Sequence, residues 1–217
     1  MKQETGKKQD QRKAILIEIK SAAKRYKQYL VGHKFLYVFD GRAIEVLYKA
    51  QNFKHLTGVE TSLPAKRFYS SAVNDTLQTA QIGFNKAHPY ELCLRKVKHL
   101  HQLVNLASSE SFMLEEIGTK TQTYKFGTTD LNFTLCMNRE LDENGNEINE
   151  CYIVQSLRDE DCFDKAKNVY EVTHIFSKPN DAKYYTDIVY LANGANTANL
   201  PESIAGLVKI PDAAATK

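Results

Sequence analysis

The chain has 217 residues, 42% of them hydrophobic, with twelve Tyr and ten Phe. This length suits a single folded domain with short extensions, and the composition excludes a disordered chain. No apolar run reaches the roughly 18 residues that cross a bilayer, and the start, MKQETGKKQDQRK, lacks the apolar core of a signal peptide. We therefore expect a cytoplasmic protein without a membrane segment.

The net charge is only +3, but it is unevenly distributed. Residues 1–30 hold nine Lys or Arg against three acids, and residues 139–164 hold two against nine. The basic end could contact nucleic acid, although a solvated helix face gives the same count. The four cysteines form no CxxC pair, and no Walker loop, dinucleotide glycine pattern or HExxH is present, so we expect reduced thiols, no metal and no cofactor.

The first predicted elements are a helix and a hairpin. Residues 1–11 are predicted to form a basic tail, and apolar residues at alternating gaps of four and three indicate a helix over residues 11–30. Asp40-Gly41 then separates two apolar runs and readily takes the positive φ angles of a tight turn. We expect strands at residues 34–39 and 42–48.

Two further helices are predicted. Pro64 suits the first turn of a short helix over residues 64–73. A longer helix over residues 89–107 has an apolar stripe, and its other face is basic, with Arg95, Lys96, Lys98 and His99.

The pattern changes to short strands from Tyr124 onward. The segments YKF, LNFTLCMN, CYIVQSL, VYEVTHIFS and YYTDIVYLA are typical of an antiparallel meander. Residues 192–217 are rich in Ala and Asn and are expected to be loosely ordered. The predicted class is α+β, one domain over residues 12–191 in which N-terminal helices and a long central helix pack on one face of an antiparallel sheet.

The segment NFKHLTGVE holds the first candidate for chemistry. His55 can exchange a proton at neutral pH, and Thr57 and Gly58 can expose backbone N–H groups to an anion. A turn with a helix cap, in which His55 has only a structural or surface role, explains the same residues.

The final hairpin offers a second candidate. A turn centred on residues 180–181 would pair Phe176 with Tyr185 and His174 with Asp187 on one face. The His174–Asp187 pair could orient an imidazole for catalysis, and a cross-strand hydrogen bond without a catalytic role fits equally. Polar residues also end or begin other strands, among them Ser156, Arg158, Lys178 and Tyr184.

These segments together, FKHLTGV, FYSSAVND, CLRKVKHLHQLVNL, YIVQSL and SKPNDAKYYTDIVY, resemble in their order a phage-associated nuclease family. The family is the barnase/EndoU/colicin/RelE-like group of phages and mobile elements, especially a subgroup with an F-x-H-L-T-G segment. The resemblance covers roughly residues 12–191. It implies helices on an antiparallel sheet of about four strands, with RNA cleaved on the open face of the sheet.

The resemblance also implies roles for individual residues. His55 would be the acid or base, Thr57 and Gly58 would shape the loop around a phosphate, and Lys54 and Arg95 would contact RNA. Lys96 and Ser156 would complete the catalytic set, with Lys178 contacting a phosphate and Tyr185 donating from its hydroxyl or acting as a base. The chain has YIVQS where the family pattern has a proline shortly before Ser156.

Two functions follow from this reading. The first is a metal-independent endoribonuclease of a phage or mobile element, which cleaves by attack of the 2′-hydroxyl and leaves a 2′,3′-cyclic phosphate. The alternative is a non-catalytic RNA- or protein-binding module, for example an inhibitor of a host defence system. Its partner would be RNA or a protein such as an antitoxin or host defence protein, and the sequence leaves the oligomeric state open.

Overall fold

A computed structural model describes residues 2–120 and 122–211, without the side chains of residues 2–5 and 7. The helices are α1 (Lys2–Tyr29), α2 (Phe53–Thr57), α3 (Ala65–Val73), α4 (Tyr90–Leu106) and α5 (Glu202–Ala205). The strands are β1 (His33–Phe39), β2 (Arg42–Leu47), β3 (Phe112–Gly118), β4 (Thr123–Thr129), β5 (Thr134–Leu141), β6 (Glu147–Arg158), β7 (Asn168–Glu171), β8 (His174–Pro179) and β9 (Asp187–Leu191). The class is α+β.

All nine strands belong to one sheet in the order β7-β3-β4-β5-β6-β2-β1-β8-β9. Every neighbouring pair is antiparallel except β2 and β6, which run parallel and are paired only where Val46 and Leu47 meet Tyr152 and Ile153. The sheet is thus larger than the four strands that the family resemblance implied, and it is mostly antiparallel. Strand β3 was not among the predicted elements.

The local predictions made from turn residues and helical periodicity are confirmed. Asp40 and Gly41 have φ angles of 49° and 67° and connect β1 to β2. Both α3 and α4 lie within one residue of their predicted bounds. The first helix differs, because α1 begins at Lys2, so the prediction of a separate tail over residues 1–11 is wrong for its described part.

One core cluster joins the helices to the sheet. It contains Ile15 and Ile19 of α1, Leu100 of α4, and Phe35 and Tyr37 of β1, all at most 4% exposed. The residues of β1 that alternate with Phe35 and Tyr37 point to the other face of the sheet and belong to a second cluster. This alternation is the period of two that a strand with two covered faces requires.

The sheet is strongly curled, because two residues connect strands at widely separated positions. The predicted strand VYEVTHIFS is in fact β7 and β8, which lie beside β3 and β1 and are joined through Val172 and Thr173. The Val172 N–H donates to Ser111 O at 3.0 Å, and the Thr173 N–H donates to Val38 O at 2.8 Å. The sheet must therefore bend until its β7 edge approaches β1.

The predicted register of the last hairpin is wrong. Phe176 lies opposite Ile188 and His174 lies opposite Leu191. The connection from Pro179 to Asp187 is longer than predicted, and a register shift between Ile175 and Phe176 adds one further position. Such a shift moves every later pairing by one position or more. The predicted His174–Asp187 and Phe176–Tyr185 pairs therefore do not form.

The C-terminal segment covers part of the outer face of the sheet. Ile204 of α5 is 3% exposed and belongs to the second cluster with Leu36, Phe176 and Tyr185. The Lys209 N–H donates to Tyr185 O at 2.8 Å. The expectation of a loosely ordered tail is thus wrong for residues 197–210, while residues 212–217 lie outside the described chain. This part of the sheet is not an open face.

An ion pair spans the curled sheet between β2 and β3. Arg42 donates to both carboxylate oxygens of Glu115, at 3.3 and 2.8 Å, and the Nζ of Lys125 lies 3.3 Å from Oε1 of Glu115. The hydrogen bonds from Arg42 hold the pKa of Glu115 at about 2. Because β2 and β3 are separated by three strands in the sheet order, this contact stabilises the curvature.

We predict that Glu115→Gln lowers the free energy of unfolding by about 1–2 kcal/mol near neutral pH. A carboxyl group with a lowered pKa stabilises the fold above its unfolded pKa, and this contribution is lost as the pH falls toward the folded value. The difference from the wild type should therefore shrink between about pH 5 and about pH 2. Urea denaturation across this range measures it.

The control for this prediction is Glu116→Gln. Glu116 is the next residue of β3, its side chain is 46% exposed, and it pairs with Lys125 and Lys167. Because exposed pairs contribute little, the control should change stability less than Glu115→Gln does. Equal effects of the two variants would show that the pair with Arg42 does not stabilise the curled sheet.

Candidate active site

The end of β6 is free of β2 and is contacted instead by α2. The parallel pairing stops at Ile153, and one residue later the Asn52 side-chain amide donates to Val154 O at 2.9 Å. This bond satisfies a carbonyl group that would otherwise lack a partner at the edge of the ladder. It also fixes α2, and hence His55, beside the last residues of β6.

Gly58 ends α2 at a point where the chain comes close to α4. Its φ of 72° is in the left-handed region, as at many helix ends. A Cβ atom built on Gly58 would lie 3.1 Å from Cδ of Lys96, 3.2 Å from Cδ2 of His88 and 3.6 Å from Sγ of Cys93. Glycine is needed here for both the backbone angle and the space. These two requirements give a physical reason for the predicted role of Gly58 in shaping the loop.

A cavity of about 620 Å³ lies between α2, α4 and the end of β6, and we call it the β6–α4 cavity. It contains three of the predicted catalytic residues, His55, Lys96 and Ser156. It also contains groups to which the sequence analysis gave no catalytic role: His88, Gln122, Tyr124, Gln155, Arg158, Asp159 and Glu160. Residues far apart in the chain thus form one concave surface with a high density of ionisable groups.

Lys96 is the most unusual group in this cavity. It is only 8% exposed, and its ammonium group makes no hydrogen bond or ion pair with any residue that the structure describes. Burial, followed by the positive charge of Arg158, lowers the pKa of Lys96. A buried cation without a partner is costly, so this position favours an anionic ligand.

Two histidines lie at the same cavity in different surroundings. Burial lowers the pKa of His88, and the charges of Lys96 and Arg158 lower it further. His88 is held by an Asn85 turn, in which the His88 N–H donates to Oδ1 of Asn85 at 2.7 Å. His55 is exposed at the cavity rim. His88 is therefore neutral near neutral pH and can accept a proton.

A β-bulge turns two consecutive residues of β6 toward the cavity. Val154 lies opposite Met137 and Ser156 lies opposite Cys136, so Gln155 is the extra residue of the bulge. Val154 and Leu157 are both core residues, whereas Gln155 and Ser156 between them both line the cavity. Bulges often redirect side chains beside active sites. The sequence VQSL indicates this bulge, because its two apolar residues are three positions apart, whereas a regular strand has a period of two.

Asp159 connects the cavity wall to the exposed face of α4. Its Oδ1 lies 2.7 Å from Nε2 of His99, and its Oδ2 accepts from Nε of Arg95 at 2.5 Å. The ring of His99 also stacks on Phe133, with 4.7 Å between centroids. Arg95 is thus engaged with Asp159 and does not line the cavity. Its predicted contact with RNA has no support from this position.

Lys54, the other predicted RNA contact, and Thr57, which was predicted to shape the loop around a phosphate, also have local partners. The ammonium group of Lys54 donates to Leu63 O at 2.9 Å and to Thr61 O at 3.3 Å. Thr57 is fully buried, and its hydroxyl donates to Lys54 O at 2.7 Å. Neither residue lines the β6–α4 cavity. Both stabilise the turn that positions His55 and Gly58.

Lys178 and Tyr185, which were predicted to be catalytic, lie outside the cavity at Glu45 of β2. The Tyr185 hydroxyl donates to Oε1 of Glu45 at 2.6 Å, and Nζ of Lys178 lies 3.8 Å from the same atom. Tyr185 is fully buried. The expectation that they share a pocket with His55 is therefore wrong. Lys178 is two residues from Phe176 on β8 and therefore lies on the same face. Phe176 and Tyr185 belong to the cluster that Ile204 of α5 covers.

His88 and Arg158 are the residues of the cavity that sequence reasoning undervalued. His88 directly precedes Pro89, a position typical of a loop end, and Arg158 is one of several polar residues at strand ends. Two sequence features point weakly to these residues. The spacing from Asn85 to His88 is that of an Asx turn, and Arg158 is two residues after Ser156. Neither feature indicates that the two residues line one cavity, because this depends on the packing of α2 against β6.

Among residues 2–120 and 122–211, no group of three or more His, Cys, Asp or Glu side chains is arranged to hold a metal ion. None of the helices in this part of the chain is long and apolar enough to cross a membrane.

We predict that Gly58→Ala lowers the free energy of unfolding by about 2–3 kcal/mol, because a left-handed backbone angle costs an L-residue roughly 1–2 kcal/mol and the new methyl group meets Lys96 and His88. Gly145→Ala is the matched control, since Gly145 has a φ of 84° but no atom within 4 Å of a built Cβ. Urea denaturation measures both. Equal losses would contradict the close approach of α2 and α4.

We also predict that Lys96→Met raises the pKa of His88 toward its ordinary value, because a repelling charge is removed while the burial remains. Lys98→Met removes the same charge from an exposed position on α4 and should leave the pKa of His88 unchanged. NMR titration of the His88 ring protons measures the effect. An unchanged or lower pKa in Lys96→Met would show that the two groups do not interact.

Comparison with known proteins agrees with the character of this site. A family model described as phage-Barnase-EndoU-ColicinE5/D-RelE like nuclease4 matches residues 18–194, a range that includes every residue of the β6–α4 cavity. No curated protein and no solved structure matches the sequence. The family model covers more than half of the 217 residues. The chain therefore belongs to the phage-Barnase-EndoU-ColicinE5/D-RelE like nuclease4 family.

Proposed function

We propose that the protein is a metal-independent endoribonuclease and that RNA is cleaved in the β6–α4 cavity. The observation that carries this proposal is the buried, unpaired ammonium group of Lys96 beside Arg158 and two histidines. Membership in a nuclease family agrees with a nucleic-acid substrate. Because the family is described as phage-associated, the proposal places this activity in the cytoplasm of a bacterial cell.

A phosphodiester suits the electrostatics of the cavity. Lys96 and Arg158 repel each other, which contributes to the lowered pKa of Lys96. Arg158 has a contact of 3.3 Å with Glu160, and both side chains are about one third exposed, so this pair is weak in water. A phosphate between the two cations would offset their repulsion and favour the charged form of Lys96.

The histidines supply the two proton transfers that RNA cleavage requires. His88 is neutral because burial and two cations lower its pKa, so it suits the general base. His55 lies at the rim, where solvent can reprotonate it, and suits the general acid. This assignment keeps the predicted role of His55 and adds His88 as its partner.

The proposed step is an in-line transesterification. His88 takes the proton of the 2′-hydroxyl, and the 2′-oxygen forms a bond to phosphorus. The bond from phosphorus to the 5′-oxygen breaks, and His55 donates a proton to that oxygen. The products are a 2′,3′-cyclic phosphate and a 5′-hydroxyl, while Lys96 and Arg158 stabilise the negative charge that develops on the phosphorane.

Ser156 and Tyr124 complete the binding surface. The Ser156 hydroxyl interacts with the phenol of Tyr124, and burial raises the pKa of Tyr124. Tyr124 therefore remains protonated and can donate a hydrogen bond to a phosphate oxygen. The bulge at Gln155 places Ser156 at the cavity without the proline that the family pattern has before this position.

We predict that the purified protein cleaves single-stranded RNA in the presence of EDTA and leaves 2′,3′-cyclic phosphate ends. His88→Ala, His55→Ala and Lys96→Met should each lower kcat/KM by about 10²- to 10⁴-fold. Gel analysis of a labelled oligonucleotide measures cleavage, and mass spectrometry identifies the ends. A 2′-deoxy residue at the scissile position should abolish the reaction.

His101→Gln is the control for the loss of an imidazole, because His101 is on α4 but faces Glu18 on α1, with 3.0 Å between Nε2 and Oε2. Its cleavage rate should equal that of the wild type. If the wild type binds RNA but leaves it intact both with EDTA and with divalent ions, the protein is a non-catalytic binding module. Cleavage that requires divalent ions would contradict the metal independence but not the assignment as an endoribonuclease.

A further inference from the structure

A second cavity adjoins the β6–α4 cavity and shares Gln155 with it. This β5–β6 cavity has a volume of about 600 Å³, and its lining residues are Lys125, Asn138, Arg139, Leu141, Glu147, Tyr152 and Gln155. Tyr152 and Ser156 are four residues apart on β6, which is roughly 13 Å at about 3.3 Å per residue. A ligand that extends beyond a scissile nucleotide would enter this second cavity.

Arg139 provides a cation and a planar surface in the β5–β6 cavity. Its guanidinium lies over the Tyr152 ring, 4.4 Å from the centroid. Its ion pair with Glu147 has a separation of 3.8 Å, and the Glu147 side chain is 57% exposed. Exposed pairs of this length are weak, so a phosphate can replace Glu147. Arginine held on an aromatic ring is also a common stacking surface for unpaired bases.

Lys125 does not supply a second free cation. Its ammonium group lies 3.3 Å from Oε1 of Glu115 and 3.2 Å from Oε1 of Glu116, and the hydrogen bond to Glu116 is the main reason for its raised pKa. Arg139 is therefore the cation of this cavity that an incoming phosphate meets.

Gln155 has an amide group that is almost free to bind a ligand. Its one hydrogen bond to a described residue is from Nδ2 of Asn138 to its Oε1, at 3.5 Å. Asn138 is fixed more firmly, because it accepts from the Lys125 N–H at 2.7 Å and donates to Thr123 O at 3.1 Å. Only Gln155 can therefore present both a donor and an acceptor to a base edge.

We propose that the β5–β6 cavity is a nucleotide subsite for single-stranded RNA, in which Gln155 binds the base edge and Arg139 binds the phosphate or the base face of a nucleotide flanking the scissile one. This inference rests on the proposed function and extends it to a substrate longer than a dinucleotide. The bulge at Gln155 serves both sites, because it directs Ser156 to the β6–α4 cavity and Gln155 to the boundary between the two cavities.

The test compares a dinucleotide with a hexanucleotide as substrates. Arg139→Ala should raise KM for the hexanucleotide about tenfold, and this increase should exceed the change for the dinucleotide at least fivefold. Gln155→Ala should reduce the preference among the four bases at the flanking position. Arg67→Ala removes a charge from the exposed surface of α3 and should change neither substrate. Equal changes for both substrates in Arg139→Ala would overturn the subsite.

Binding without chemistry separates this inference from the proposed function. Fluorescence anisotropy with a 2′-O-methyl hexanucleotide, which has no 2′-hydroxyl nucleophile, should show about tenfold weaker binding for Arg139→Ala than for Arg67→Ala. If this difference appears while the wild type cuts no RNA, the subsite stands and the endoribonuclease proposal fails. If the wild type cuts RNA but the two variants bind equally, the subsite fails alone.

Discussion

The two-residue connection through Val172 and Thr173 is the constraint on which the architecture depends. It joins strands that are first and eighth in the sheet order, so a flat nine-stranded sheet is impossible. The backbone hydrogen bonds of both residues are formed with neighbours at this junction, and the Arg42–Glu115 pair connects the curled sheet from the β2 side. Curvature then allows one core to be enclosed by the sheet and closed by α1, α3 and α4.

The same topology explains why the cavity lies at β6. This strand pairs with β5 along its length but with β2 over only two positions. Its last residues are therefore available to α2, which is fixed through Asn52, and to α4, which approaches at Gly58. The bulge at Gln155 then turns two polar residues toward this junction. Each feature is local, but the geometry of the β6–α4 cavity depends on all of them.

The sequence predicted elements better than their assembly. Helical periodicity identified α4 and turn chemistry identified the Asp40-Gly41 hairpin, because both signals depend on neighbouring residues. The split of VYEVTHIFS could not be predicted, since a continuous apolar run does not reveal that its halves join distant strands. For the candidate site, the HLTG segment indicated His55, but nothing in the sequence indicated that His88 lines the same cavity as Lys96.

Charge compensation distinguishes the β6–α4 cavity from the predicted site at Lys178 and Tyr185. Lys178 and Tyr185 both have ionisable side chains. Glu45 accepts a hydrogen bond from Tyr185 and balances the nearby charge of Lys178, so no unbalanced charge remains there to attract a ligand. Lys96 is as buried as Lys178, and the carboxylate of Asp159 acts on it through its charge without forming an ion pair. A protein that keeps an incompletely compensated cation loses stability at that position. That loss is physically reasonable where an anionic substrate supplies the missing charge.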